Sequence, residues 1–319
     1  MSTNTVLEVD RARCRETRLV ESELEQLGPA QLRLQIDRFS VTANNITYAV
    51  LGDILGYWDF FPTGDPDWGR VPAMGWADVV ESTHPDIATG GRYYGWFPMA
   101  RFVDLTVRAT DDGFRDDGDH RVAHAPVYRN YVGTTHDPMY PSGASGDELG
   151  DAEDRHALLR GLFITSYLAD SFFADAAHHG ADVVTYDDVA SLPRIDAVSV
   201  DVSGDGPVLA AVHERLGDHL KFSMIIGRSH HDSPLAQVEA GPTPELFFAP
   251  TEVGRRLEEW GADEYQRRCT EALEEFVAGS RRWLTVHRAS GPAAAASTWS
   301  EVFDGQVPPS IGRIVSLHH

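Results

Sequence analysis

The apolar residues in the first half of the chain fall into short segments, which glycine and proline interrupt repeatedly up to Gly146. Residues 31–39 alternate polar and apolar side chains, and residues 102–107 do the same. A period of two predicts half-buried strands. Short strands between so many chain breakers predict a small, irregular β-barrel or sandwich.

The spacing of apolar residues lengthens in the second half of the chain. Within residues 158–172 they recur three to five positions apart, behind the acidic residues 151–154, which are typical of a helix N-terminus. Residues 197–202 then form a β-rich run, residues 208–216 a helical pattern, and residues 222–226 a second apolar run. A β-α-β unit of this kind predicts a parallel sheet.

These patterns predict an α/β protein of two domains, for which 319 residues with 42% apolar content are sufficient. A turn-rich connector, residues 134–150, is the predicted boundary. We expect a β-rich domain in residues 1–135, completed by residues 300–319 with a last short strand at 311–317. The second domain is expected in residues 150–290 and ends with an amphipathic helix.

Charge and cysteine usage exclude several classes of partner. The chain has 27 Lys and Arg against 49 Asp and Glu, a net charge of −22, which repels nucleic acid and anionic lipid. Cys14 and Cys269 are far apart and have no zinc-ligand spacing, so no metal site is expected. No secretion signal or membrane span is visible. We therefore expect a cytoplasmic protein with a small-molecule substrate, and a homodimer is left open.

Short motifs of aromatic, amide and glycine residues are spread along nearly the whole chain: Asn44-Asn45-Ile46-Thr47-Tyr48, Leu55-Gly56-Tyr57-Trp58, Gly95-Trp96-Phe97-Pro98, Leu162-Phe163-Ile164-Thr165-Ser166, Val200-Asp201-Val202-Ser203-Gly204 and Ile226-Gly227-Arg228-Ser229-His230-His231. Together they resemble the domain-of-unknown-function family 2855. That family is similar to the zinc-free quinone and enoyl reductases among the medium-chain dehydrogenase/reductases. The resemblance implies a GroES-like β-rich domain, a Rossmann-like domain and NADP(H) as cofactor.

The chain departs from that family at the expected phosphate-binding turn. Members usually carry a Ser-Ser-Ala-Ser-Ser-Lys-Thr-Ala-like turn and its helix before the segment that matches residues 183–192. Here Gly180-Ala181-Asp182 runs directly into Val183-Val184-Thr185. The missing block resembles a β-α-β unit of about 30 residues or more. We therefore expect a reduced Rossmann-like domain that binds NADPH and NADH weakly or not at all.

Two tyrosines and two asparagines are the candidate catalytic residues. Tyr48 and Tyr57 lie on a stretch that resembles the substrate-facing loop of enoyl reductases, with Asn44 and Asn45 as amide partners. A reductase without zinc needs a proton donor near the carbonyl or alkene, and a tyrosine aided by an asparagine can supply it. The alternative is that these aromatic side chains only fill a core.

The candidate cofactor-binding residues follow the helix and strands of the second domain; they are Thr165, Ser166, Ser203, Gly204, Gly227, His230 and His231. Ligands collect at the carboxyl edge of such a parallel sheet. The adjacent histidines have no visible third ligand, so we interpret them as loop residues rather than a metal site.

Three hypotheses about function follow. The first is a zinc-independent, medium-chain reductase-like protein that acts on a small carbonyl or α,β-unsaturated substrate with NADP(H). The second is a cofactor-free enzyme that uses the same cleft for acid/base chemistry on a carbonyl compound. The third is a catalytically degenerate binding scaffold.

Overall fold

The computed structural model describes residues 3–172 and 184–318. Its strands are β1 (Thr3–Asp10), β2 (Thr17–Glu23), β3 (Gln31–Val41), β4 (Trp68–Gly69), β5 (Pro72–Ser82), β6 (Arg92–Pro98), β7 (Phe102–Thr110), β8 (Gly113–Asp116), β9 (Asn130–Gly133), β10 (Ala197–Asp201), β11 (Leu220–Ile225), β12 (Glu245–Leu246), β13 (Thr285–Ser290) and β14 (Ile311–Ser316). Its α-helices are α1 (Ala43–Val50), α2 (Gly52–Leu55), α3 (Gly146–Phe172), α4 (Gly206–Leu216), α5 (Ala249–Trp260), α6 (Ala262–Ser280) and α7 (Pro292–Phe303). The chain divides into two compact units, Met1–Thr165 with Leu257–His319, and Ser166–Arg256.

A closed β-barrel forms the centre of the first unit. Its strands follow the order β3-β5-β6-β9-β8-β7, and β7 pairs again with β3, which closes the sheet. Bulges at Arg33/Leu34 and Ile36/Arg38 interrupt the register of β3 with β5, and such bulges add the local twist that a small barrel needs. The predicted strands at residues 31–39 and 102–107 are confirmed, and so is the predicted β-barrel.

The two faces of β6 have different roles. Phe97 packs 5.2 Å from the ring of Tyr131, and Phe114 stacks on Tyr131 at 4.9 Å, so these rings fill the barrel. Since side chains alternate along a strand, Tyr94 and Trp96 lie on the outer face of β6. Helix α1 and the first half of α3 pack on that outer face.

The last strand joins the barrel from the far end of the sequence. Strand β14 pairs antiparallel with β3, and β13 pairs parallel with β14 on its other side. Helix α7 connects β13 to β14, as a parallel pair requires. The predicted strand at residues 311–317 is confirmed as β14, and the predicted amphipathic helix near the end of the chain is confirmed as α6.

Helix α3 begins with buried charged residues that hold it against the barrel. Glu153 and Asp154 are 3% and 0% exposed. Arg92 donates to Glu153 at 2.7 Å, Arg38 pairs with both carboxylates, and Arg288 donates to Asp154 at 2.5 Å. Because buried carboxylates are costly without such partners, these ion pairs fix the start of α3. The predicted long helix is confirmed as α3.

The second unit contains a small parallel sheet in the order β10-β11-β12, with α4 between β10 and β11. The predicted β-α-β unit is confirmed. Val198, Val200 and Val202 lie at alternate positions of β10 and the residue that follows it, and they are 43%, 43% and 61% exposed. Helices normally cover both faces of a parallel sheet. The described residues leave one face of β10 uncovered.

Candidate functional site

Asn45 holds α1 in place. Its Oδ1 accepts a hydrogen bond from the backbone N–H of Thr42 at 2.7 Å, and its Nδ2 donates to the carbonyl of Pro72 at 2.9 Å. The first bond is half of a capping box, in which the third helical residue reaches back to the N-cap. The structure therefore places Asn45 as the residue that caps α1 and ties it to β5.

Asn44 and Tyr48 lie one turn apart on α1. The Asn44 Nδ2 donates a hydrogen bond to the Tyr48 hydroxyl. The ring of Tyr48 lies 4.5 Å from that of Tyr57 and 5.4 Å from that of Trp96. Because Tyr48 accepts from Asn44, its own hydroxyl proton remains to be donated, and none of the described residues accepts it. The stretch that resembles the substrate-facing loop of enoyl reductases is helical at Tyr48, since the capping box starts α1.

Tyr57 packs against Tyr48 from the turn that follows α2. Gly56 has a left-handed backbone with φ of +72°, a conformation that favours glycine, and it turns the chain into a short 3₁₀ segment at Tyr57–Asp59. The hydroxyl oxygens of Tyr57 and Tyr128 lie 3.3 Å apart. The structure thus brings Tyr48, Tyr57 and Asn44 together, and it adds Tyr128 from the segment before β9.

Burial keeps these phenols protonated. Loss of hydration raises the pKa of Tyr48, Tyr57 and Tyr128 above that of an exposed tyrosine, and neighbouring phenols raise the pKa of Tyr48 and Tyr57 further. A neutral phenol donates one hydrogen bond. The arrangement is therefore a set of hydrogen-bond donors in surroundings of low polarity. We call Tyr48, Tyr57, Tyr94 and Tyr128 the phenol cluster.

Sequence reasoning did not identify Tyr94, Trp96 or Tyr128 as site residues. Tyr94 and Trp96 share the outer face of β6, and the ring of Trp96 lies 5.3 Å from that of Tyr128. The alternation of β6 could have revealed the shared face of Tyr94 and Trp96. No sequence pattern indicates Tyr128 as a site residue. Tyr128 joins the cluster through a contact with Tyr57, which is distant in sequence.

A buried ion pair lies beside Tyr94. Arg160 of α3 pairs with Asp137 through both terminal guanidinium nitrogens, one of them at 3.2 Å. The guanidinium carbon of Arg160 lies 4.4 Å from the centre of the Tyr94 ring. His156 lies one turn earlier on α3 and is 3% exposed, and none of the described residues forms a hydrogen bond with its Nδ1. Burial, and secondarily the charge of Arg160, lower the pKa of His156 to about 4.

The second unit brings several of the predicted cofactor residues together at the ends of β10 and β11. Asp201 Oδ1 accepts hydrogen bonds from the N–H groups of Ser203 and Gly204 at 3.0 and 2.9 Å, and from Ser203 Oγ at 2.9 Å. The N–H of His230 donates to the carbonyl of Ser203 at 2.8 Å. The donors of this turn are thus used within the protein.

Gly227 and His231 belong to the loop after β11. A Cβ on Gly227 would lie 2.5 Å from the carbonyl oxygen of Val202, so the close approach of the two loops requires glycine here. The His231 ring lies beside Asp232, with Nδ1 and Oδ1 3.1 Å apart. Gly227 therefore positions the loop, and His231 faces a carboxylate.

Thr165 and Ser166 lie on α3. The Thr165 hydroxyl donates to the carbonyl of Gly161 at 3.0 Å, and Ser166 is exposed. The place of the expected phosphate-binding turn, residues 180–183, lies outside the described residues. Across the part of the chain that the structure describes, no three His, Cys, Asp or Glu side chains group as metal ligands. No helix in that part is long and apolar enough to span a membrane.

A family model matches most of the chain. The model describes a protein of unknown function (DUF2855), and it matches residues 39–184 and 180–308. The chain belongs to the DUF2855 family. The resemblance predicted from the motifs is confirmed. The two matched segments of this DUF2855 protein overlap at residues 180–184.

Solved structures show which fold this DUF2855 protein has. CurA from Vibrio vulnificus is 14% identical with a TM-score of 0.51, and the match covers 100% of this chain and 99% of CurA. CurA in complex with NADPH is 14% identical with a TM-score of 0.50, and all of both chains is covered. No curated protein matches the chain. The predicted α/β fold class, with a β-rich barrel and a separate parallel sheet, is confirmed.

His156 should make stability depend on pH. Its pKa is about 4 in the folded protein against 6.5 for an unperturbed histidine, so between these values only the unfolded chain binds the proton. The free energy of unfolding should therefore fall as the pH is lowered through this window, by up to about 3 kcal/mol. His156→Gln should remove this pH dependence. Urea unfolding at several pH values should therefore show that the difference in free energy of unfolding between wild type and variant changes with pH. Parallel pH profiles would contradict this.

Proposed function

We propose that this chain is a reductase-like protein that acts on a small carbonyl or α,β-unsaturated compound at the phenol cluster. The observation that carries the proposal is the set of buried, protonated tyrosines around Tyr48, whose hydroxyl accepts from Asn44 and keeps its own proton. The fold shared with CurA, which has been solved with NADPH, supports a reductase rather than another class of protein.

The phenols can stabilise charge on a substrate oxygen. Negative charge develops on the oxygen of a carbonyl or an enone when it is reduced, and preorganised donors in a dry site stabilise that charge strongly. Tyr48 would donate to this oxygen while Asn44 holds its hydroxyl in position. Tyr57 and Tyr128, with hydroxyl oxygens 3.3 Å apart, would form a second donor pair at the same cluster.

NADP(H), when bound, supplies the hydride for such a reduction. The described residues of the second unit fit its phosphates poorly. The N–H groups after β10 donate to Asp201, a carboxylate that would repel a phosphate. The exposed valines of β10, on a face that the described residues leave uncovered, support the loss of a β-α-β unit.

Weak nucleotide binding is the expected consequence. Each charge-assisted hydrogen bond to the pyrophosphate is worth about 1–3 kcal/mol, so the loss of two or three should weaken a micromolar site on the order of 10²-fold or more. Calorimetric titration of the folded chain with NADPH and with NADH measures this. Low-micromolar binding of either nucleotide would contradict the expectation and support an ordinary NADP(H)-dependent reductase.

A cofactor-free enzyme is the second candidate, and the occupied donors after β10 favour it. The same phenols would stabilise the enolate of a carbonyl compound, which forms when its α-proton passes to a solvent base and which needs no hydride. Exchange of α-protons for deuterium, followed by NMR without any nucleotide, separates the two candidates. A chain that neither reduces nor exchanges any compound would instead be a binding scaffold.

Tyrosine variants test the site directly. Tyr48→Phe and Tyr57→Phe should each lower turnover of an enone or quinone by about 10²-fold, because each removes a donor to the developing charge, and the fold should remain intact. Turnover is measured over a panel of such compounds with NADPH, and α-proton exchange in parallel.

Tyr93→Phe is the matched control, since Tyr93 lies on β6 but on the face opposite to Tyr94, with its ring 4.7 Å from Phe114. Its turnover should equal that of the wild type. Unchanged turnover in both the Tyr48 and Tyr57 variants would contradict the proposal and would show that these rings have only a structural role.

A further inference from the structure

Tyr94 carries a buried hydroxyl without a partner. The side chain is 8% exposed, and none of the described residues forms a hydrogen bond with its hydroxyl. Most buried polar groups in proteins have such a partner, because an unsatisfied hydroxyl opposes folding. By contrast, the buried Tyr131 hydroxyl donates to the carbonyl of Trp96 at 2.6 Å. The Tyr94 hydroxyl therefore requires an explanation.

The surroundings hold the Tyr94 ring in a fixed position. Its centre lies 5.2 Å from that of Trp76, which is itself tied to α3 through a hydrogen bond from its indole N–H to the carbonyl of Glu153 at 2.9 Å. Arg160 covers the ring, and Asp137 neutralises Arg160. A phenol restrained in this way is preorganised as a donor.

Tyr94 lies on the outer face of β6, against which Tyr48 of α1 packs. Trp96, two residues further along β6, contacts the Tyr48 ring at 5.4 Å. Tyr94 is also near enough to Tyr48 to raise its pKa, although burial has the largest effect and Tyr128 the next. Two hydroxyl protons without acceptors among the described residues thus lie on the same side of β6, one from α1 and one from β6 itself.

We propose that the Tyr94 and Tyr48 hydroxyls form a two-donor site for one oxygen atom that carries negative charge, as in an enolate or a phenolate. This rests on the proposed function and narrows its substrate class to conjugated carbonyl compounds, whose oxygen acquires such charge during reaction. Two neutral phenols favour an anionic oxygen over a neutral one, since hydrogen bonds to charged acceptors are about twice as strong. Tyr94 would therefore contact substrate.

A phenol that ionises near neutral pH is a suitable probe. 4-Nitrophenol is titrated into the full chain, and its absorbance distinguishes the bound phenolate from the bound phenol. The wild type should bind the phenolate in preference to the phenol. Tyr94→Phe should weaken phenolate binding by about 10- to 100-fold, the effect of losing one hydrogen bond to a charged group. Equal phenolate affinity in wild type and Tyr94→Phe would overturn the proposal, as would a wild type that does not bind the phenolate.

Stability provides an independent readout. Tyr94→Phe removes an unsatisfied hydroxyl, so its urea midpoint should equal or exceed that of the wild type. A clear loss of stability would show that the hydroxyl has a structural partner and would overturn the proposal. Tyr93→Phe, from the opposite face of β6, should leave phenolate binding unchanged, and weakened binding in this control would also overturn it.

Tyr48→Phe separates this proposal from the proposed function. If Tyr48→Phe weakens phenolate binding while Tyr94→Phe does not, the assignment of Tyr94 is wrong and the phenol cluster stands. If neither variant changes binding or turnover, both the two-donor site and the proposed function are wrong.

Discussion

The site depends on the way in which Glu153 fastens α3 to the barrel. Its carboxylate accepts hydrogen bonds from Arg92 and from the Tyr140 hydroxyl, at 2.7 and 3.1 Å, and it pairs with Arg38. These partners come from β3, β6 and the segment before α3. Removal of one partner from a buried ion pair typically costs about 3–5 kcal/mol. With α3 fixed in this way, Arg160 lies over Tyr94. Tyr94 and Trp96, on the outer face of β6, are buried.

Local patterns predicted those elements whose signal lies within a few residues. The alternation of residues 31–39 and 102–107 predicted β3 and β7, and the β-α-β pattern predicted the parallel sheet. Helix α1 was missed because this stretch was interpreted through its resemblance to the substrate-facing loop of enoyl reductases, although the Thr42 and Asn45 pair is a capping box. The barrel's closure through β3 and β7 is a non-local pairing, which periodicity alone does not reveal.

The phenol cluster could be predicted only in part for the same reason. Asn44, Tyr48 and Tyr57 are close in sequence and share a motif, so they could be named together. Tyr94 and Tyr128 reach them through the barrel, and Arg160 reaches Tyr94 through α3. The barrel and the connection before β9 therefore supply two of the four phenols, and α1 and the 3₁₀ segment supply the other two. The second unit differs, since its strand-end donors are used by Asp201 and one face of β10 is uncovered.

The central claim is that the phenol cluster remains protonated, and tyrosine ring NMR tests it most directly. With ¹³C at the ζ carbon, each tyrosine reports its own ionisation, and the Tyr48→Phe, Tyr57→Phe and Tyr94→Phe variants assign the signals. The account predicts that these three signals stay those of neutral phenols beyond about pH 10, where an exposed tyrosine ionises. Ionisation of Tyr48 or Tyr94 at or below that pH would contradict the account.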